Sequence, residues 1–179
     1  MGDLPNRIVL VGFMGTGKSV VGARLAARLG YRFEDMDRRI EKRTGRSIAA
    51  FFEERGEEAF REEELREAGA LARLDRRVVA AGGGAFARPE TRARLQEGAV
   101  TVWIRGEIET LLNRIRPDGT RPLAGNRAIM RALLAEREPS YRLADLVVDT
   151  SRDTTPGGVA GRIVDLIEQR SAKDRTAER

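Results

Sequence analysis

Residues 12 to 19 read Gly-Phe-Met-Gly-Thr-Gly-Lys-Ser, and that spacing suits the holding of phosphate. In the pattern G-x-x-x-x-G-K-[ST] the glycines let backbone N–H groups turn inward and approach phosphate oxygens closely. The lysine reaches the outer phosphates of a nucleoside triphosphate, and the hydroxyl ligates Mg2+. Gly12, Gly15, Thr16, Gly17, Lys18 and Ser19 are therefore candidate ATP-binding residues, with Lys18 also a catalytic candidate and Ser19 a candidate metal ligand. An acidic pair follows in Phe33-Glu-Asp-Met-Asp37. Residues two apart on a strand point the same way, so if this strand neighbours the first, Asp35 and Asp37 both face the phosphate loop. One would then hold Mg2+ through its water shell, and the other would accept a hydrogen bond from an attacking hydroxyl. Asp37 also suits the N-cap of a helix starting near Arg38, a role that can coexist with catalysis; Asp35 could equally be a solvated strand end.

The absences narrow the chemistry further. The chain has no Cys and no His, which excludes disulfides, thiolate nucleophiles and Cys-based zinc sites. Acid–base or metal work must fall on Asp, Glu, Lys, Tyr or a hydroxyl, and carboxylates with Mg2+ are the natural set. A net charge of +5 and a pI near 10.3 would suit an anionic polymer. However, the arginines are interspersed with glutamates along helical stretches such as Arg55-Gly-Glu-Glu-Ala-Phe-Arg, and no basic cluster carries interleaved aromatics. Solvated helix surface and no nucleic-acid partner are expected. No apolar run approaches the roughly 20 residues of a bilayer span, and no signal-peptide pattern opens the chain. The expectation is a cytoplasmic monomer without a membrane partner.

These candidates need a scaffold. At 179 residues, 41% hydrophobic and 34% charged, the chain suits one globular domain, expected over 1–170 with a flexible tail at 171–179. Short runs rich in Val or Ile predict strands at Arg7–Gly12, Arg32–Met36, Arg77–Ala81, Val100–Ile104 and Leu146–Val148. Helical patterns lie between them at Lys18–Leu29, Ser47–Leu74 (broken near Gly56), Pro89–Gln96, Ile108–Arg114 and Arg127–Glu138, with a last helix after Pro156. This alternation implies an α/β fold: a five-stranded parallel sheet covered by helices on both faces, with ligands at the carboxyl ends of the strands. Residues 115–126 hold two prolines, two glycines and two arginines without periodicity, and are expected to form a mobile lid. The Asn-Lys-x-Asp pattern of guanine readers is missing, and the third strand runs into glycine instead of a metal-holding Asp. A short chain with a phosphate loop and a lid is built like a small-molecule or nucleotide kinase.

Beyond the loop, Asp35-Met-Asp37-Arg-Arg-Ile-Glu-Lys-Arg-Thr-Gly-Arg-Ser-Ile, Phe52 and Gly56-Glu-Glu-Ala-Phe60-Arg61-x-x-Glu64 resemble the shikimate kinase family. The resemblance continues through Gly82-Gly83-Gly84, Thr120-Arg121-Pro122-Leu123 and Arg137-Glu-Pro-Ser-Tyr141-Arg142. It implies the three-layer P-loop kinase fold of nucleoside monophosphate kinases, and transfer of the ATP γ-phosphoryl group to the 3-hydroxyl of shikimate. By the same resemblance Asp37 meets that hydroxyl, and Asp35 supports Mg2+ with Ser19. Arg61 and Arg142 bind the shikimate carboxylate. Gly82, Gly83 and Gly84 present backbone N–H groups to substrate, with Phe52 and Phe60 as walls or as plain core residues. Arg121 in the lid folds over the phosphates as a catalytic group, and Arg114, Arg152 and Pro156 border the adenine. A kinase of another hydroxy acid such as gluconate, or of a nucleotide, is the alternative. A non-catalytic ATP-binding or nucleic-acid-associated module is favoured only by the basic pI.

Overall fold

The computed structural model describes residues 4–114, 126–150 and 155–177. Five parallel strands, β1 (Arg7–Val11), β2 (Arg32–Asp35), β3 (Arg77–Ala80), β4 (Val100–Arg105) and β5 (Leu146–Asp149), form one sheet in the order β2-β3-β1-β4-β5. The helices are α1 (Lys18–Leu29), α2 (Met36–Thr44), α3 (Ile48–Leu71), α4 (Pro89–Gln96), α5 (Ile108–Arg114), α6 (Arg127–Tyr141) and α7 (Pro156–Ala177). All five residues of β1 are buried, as expected of a central strand covered on both faces. Its alternate side chains enter two cores. Ile8 and Leu10 pack with Val21 and Leu25 of α1 and with Val159 and Ile163 of α7. Val9 and Val11 pack on the other face with Met36, Phe60, Leu95, Leu111 and Tyr141. The chain therefore leaves β1 toward one face, while its neighbours β3 and β4 send it toward the other. That reversal opens a crevice at the carboxyl end of β1, where such sheets take their ligands.

Several element ends depart from the sequence pattern. Where alternation predicts β2 to continue to Met36, the strand ends at Asp35 and Met36 already begins α2. β2 pairs with β3, which lies between it and β1, so the acidic pair reaches the phosphate loop across the end of β3. Gly56 (φ 80°, ψ 175°) divides α3 where a break is expected. α6 continues past Glu138 to Tyr141 although Pro139 sits inside it; burial of the Tyr141 ring outweighs the one hydrogen bond that the proline forfeits. α7 runs to Ala177, through residues expected to form a flexible tail. Ser171-Ala-Lys-Asp-Arg-Thr-Ala contains neither Gly nor Pro to stop it. Residues 115–125 of the expected lid lie outside the described residues, and Asn126 caps α6 by accepting from Ala128 N (3.0 Å) and Ile129 N (3.1 Å). Among the described residues no helix is long and apolar enough to cross a membrane.

Candidate active site

The phosphate loop is built from backbone that only glycine tolerates. Gly12 has φ 136°, and a Cβ there would lie 2.5 Å from the Ile104 carbonyl oxygen and 3.3 Å from a Trp103 ring carbon. The chain thus turns out of β1 against β4 with no space for a side chain. Gly17 caps α1 in the left-handed conformation without any side-chain acceptor, and the first turn of α1 holds no acidic residue. The helix N-terminus consequently presents its unpaired N–H groups and positive dipole end to an anion. The Thr16 hydroxyl, buried, donates to Phe13 O at 2.8 Å and ties the loop to itself. Lys18 Nζ donates to Gly12 O (2.8 Å) and Phe13 O (2.9 Å), which holds the ammonium at the loop.

Across the end of β3, Ser19 Oγ donates to Asp35 Oδ2 at 2.6 Å. The structure makes Asp35, not Asp37, the N-cap of α2: Asp35 Oδ1 accepts from Arg38 N at 3.3 Å. Asp37 lies in the first helical turn instead, where the helix dipole favours a carboxylate. The two aspartates therefore do not share a strand face, and the reason for their proximity to the loop is the strand-to-helix turn. Ser19 and Asp35 together offer hard oxygen donors of the kind Mg2+ takes. Among the described residues no three carboxylates gather to hold a cation. The Ser19 hydroxyl and Asp35 carboxylate suit Mg2+, which binds through one or two protein ligands, phosphate oxygens and water.

Asp37 opens a second group. A Cβ on Gly82 would sit 2.7 Å from Asp37 Oδ1 and 3.0 Å from Glu64 Oε1, and one on Gly84 would sit 2.5 Å from Arg61 Nη1. The end of β3 is bare because these side chains fill the space in front of it. Arg61 donates through Nη1 to Glu64 (2.6 Å) and through Nε (3.2 Å) and Nη2 (2.7 Å) to Glu57. Burial alone would lower the Arg61 pKa, but Glu64 and Glu57 outweigh it and raise it. Glu64 is buried, and desolvation pushes its carboxyl up; Arg61 pulls it back, and the charge of Asp37 adds to the rise. On the far side, Arg137 Nη1 would stand 3.6 Å from a Cβ on Gly83, and the Tyr141 hydroxyl donates to Gly83 O.

Arg142 is not brought into this group, contrary to the expectation from resemblance. Its side chain is 63% exposed, and Nη2 bonds Glu138 at 2.6 Å. The reason is helical phase: Arg137 and Tyr141, four apart, share one face of α6, whereas the C-cap residue Arg142 is turned off it. Arg137, Glu64 and Tyr141 stand inside the motifs that carry the resemblance but have no role assigned there; the structure brings them to the site. Phe60 is core, packed on Phe51 and Phe52 with ring centroids 5.9 and 4.7 Å away, and Phe52 is half-buried beside it. Arg61 Cζ stands 5.9 Å from the Phe60 ring centroid. Arg114 ends α5, exposed, and Pro156 starts α7, exposed. Arg121 and Arg152 lie outside the described residues.

Known proteins are similar to this chain in sequence and in fold. The family model described as shikimate kinase matches residues 14–168. A shikimate kinase from Nitrobacter winogradskyi is 45% identical over 166 residues, covering 91% of this chain and 77% of that relative. One from Geobacter sulfurreducens is 45% identical over 147 residues, covering 80% of this chain and 81% of the relative. The solved structure of a shikimate kinase from Acinetobacter baumannii in complex with shikimate superposes with a TM-score of 0.89 at 35% identity, covering 94% of this chain and 96% of that one. A gluconokinase from Sinorhizobium meliloti (TM-score 0.65, 19% identity, 98% and 99% covered) shares the fold alone. Phosphate loop, sheet order and relatives agree, and the chain belongs to the shikimate kinase family.

Proposed function

We propose that this chain transfers the γ-phosphoryl group of ATP to the 3-hydroxyl of shikimate, releasing ADP and shikimate 3-phosphate. The observation that carries the reading is the convergence, at the end of β3, of the Asp37–Glu64–Arg61 web with Arg137, facing the Lys18 loop on the neighbouring strand. In one crevice this supplies a phosphate cradle, an acceptor for a hydroxyl proton and two guanidinium groups. Those groups match a carboxylate bidentately, and the substrate of the relatives named above is a carboxylic acid with ring hydroxyls.

Each side chain has a task in that chemistry. The N–H groups at the start of α1 and Lys18 bind the β- and γ-phosphates. Arg61 and Arg137 take the substrate carboxylate, which would compete with the 62% exposed Glu57 for the Arg61 fork, and the Gly82–Gly84 backbone lies against the ring. Asp37 orients the 3-hydroxyl. As the new P–O bond forms and the bond to the ADP oxygen breaks, Asp37 accepts the hydroxyl proton. An ordinary aspartate is a weak base, so that transfer comes late in a loose transition state and positioning provides most of the rate. Mg2+, held by Ser19 and through water by Asp35, would neutralise phosphate charge when bound. Arg121 adds positive charge over the phosphates, and Arg114, Arg152 and Pro156 border the adenine, as the family resemblance implies. The test is a coupled assay of ADP release with shikimate, gluconate and nucleoside monophosphates. Stimulation by shikimate alone is expected; equal or greater stimulation by another acceptor would overturn the assignment.

A further inference from the structure

Tyr141 is fully buried, yet it carries a polar hydroxyl at the substrate side of β3. A buried hydroxyl without partners is costly, and this one has a backbone acceptor. It donates to the Gly83 carbonyl, and the Arg137 guanidinium stands beside it and acts on its charge. The chemistry of these neighbours fixes the direction of the hydroxyl. A carbonyl can only accept and a guanidinium can only donate, so the hydroxyl points its proton at Gly83 and is left with lone pairs for the neighbouring Arg137. Burial pushes the phenol up to about 12, hence the hydroxyl stays protonated across any working pH. The ring itself is seated against Trp103, with centroids 6.1 Å apart and planes tilted by 33°, and it cannot follow a wandering carbonyl.

Two consequences bear on the acceptor substrate. In a trans, planar peptide the C=O and the following N–H point in opposite directions. With the Gly83 carbonyl held toward Tyr141, the Gly84 N–H is turned the other way. The flexible Arg137 side chain meanwhile has its guanidinium beside the Gly83 backbone and the fixed phenol; an acceptor there would limit rotamer freedom that substrate binding would otherwise have to remove. We propose that Tyr141 is a positioning residue for the acceptor: its hydroxyl aims the Arg137 guanidinium and the Gly83–Gly84 peptide at the substrate carboxylate. The proposal rests on the shikimate reading above, and shikimate-dependent ADP release by the wild-type protein tests that reading separately.

Tyr141→Phe keeps the ring on Trp103 and removes only the hydroxyl. The shikimate KM is expected to rise about tenfold, equivalent to about 1.4 kcal/mol, with the ATP KM within twofold of wild type. A purely structural hydroxyl would instead lower the melting temperature and leave both KM values alone, and that result overturns the proposal. In a cycle with Arg137→Met, the two losses in shikimate affinity are expected to be less than additive, because the hydroxyl acts in part through that arginine. Full additivity would refute the coupling. If Tyr141→Phe does not fold, the wild-type protein still decides the matter by NMR. A slowly exchanging hydroxyl proton with contacts to the Tyr141 ring is expected to shift on adding shikimate and to stay put on adding ADP; no such proton, or no shift, ends the idea.

Discussion

The phosphate loop and the acceptor wall face each other across the same crevice, but they are built by opposite means. The loop is eight consecutive residues whose work is done by backbone, and Gly12 is fixed there by the Ile104 carbonyl behind it. The wall is assembled from α2, α3, β3 and α6, and its work is done by charged side chains that hold one another: Glu57 and Glu64 on Arg61, and Tyr141 between Arg137 and Gly83. A backbone site tolerates changes in what surrounds it but not in its own residues. A side-chain web transmits a change at any one member to the others. The contrast teaches where substitutions should act on nucleotide and where on acceptor.

The largest expected effect is at the place where the two regions meet. Asp37→Asn should reduce kcat by about 10²–10⁴-fold, the usual contribution of a positioned acid–base group, while ATP affinity stays within about twofold. Steady-state turnover alongside nucleotide-binding titration measures both, and near-normal turnover would remove Asp37 from the mechanism. Next comes a pair of variants on α6. Arg137→Met should raise the shikimate KM by about 10–100-fold, since truncating a desolvated charge contact costs a few kcal/mol, whereas Arg142→Met should leave it within twofold. The reverse ranking would show that the helix phase has been misread.

That pair also shows how much was legible beforehand. The phosphate loop could be read from eight letters because its function is local. The parallel sheet was legible from buried Val and Ile runs, and the crevice from the α/β alternation. The wall was legible only by resemblance, and it slipped by five residues at α6. The resemblance names Arg142, which is exposed, whereas the helix runs on through Pro139 and puts the half-buried Arg137 on one face with Tyr141. Asp35 and Asp37 were found for a strand-geometry reason that does not hold: the chain turns into α2 between them, and β3 intervenes between β2 and β1. The burial of Glu64 is not legible in the sequence, because i,i+3 spacing from Arg61 on a glutamate-rich helix says nothing about burial.

A smaller effect distinguishes backbone from side-chain construction. Gly12→Ala would strain the left-handed backbone and crowd the Ile104 carbonyl, at a cost of about 1–3 kcal/mol. It should raise the ATP KM more than the shikimate KM, the opposite of Tyr141→Phe. Thermal melts with paired kinetics would show whether the two regions can be weakened independently.

The smallest effect belongs to a carboxylate as well bonded as any in the wall but outside both regions. Asp145 Oδ2 accepts from Thr101 N (2.8 Å) and Thr101 Oγ1 (2.7 Å), and Oδ1 pairs with Arg170 at 2.8 Å, which ties β4 and the start of β5 to α7. Burial works to raise its pKa, but the Thr101 and Arg170 hydrogen bonds outweigh it and the net shift is downward from 3.8. A carboxylate with a lowered folded pKa adds stability that is present above its unfolded pKa and lost as pH falls through the folded one. Asp145→Asn keeps an acceptor for Thr101 but sets an amide against Arg170. It should lower the melting temperature at pH 7 by roughly 2–4 °C, corresponding to about 1 kcal/mol in a chain of this size, and the gap from wild type should close as pH drops below 3.8. Neither KM should move. A change in the shikimate KM in this variant would mean that the wall is coupled to the far edge of the sheet, and the division between a self-contained loop and a web confined to α2, α3, β3 and α6 would no longer stand.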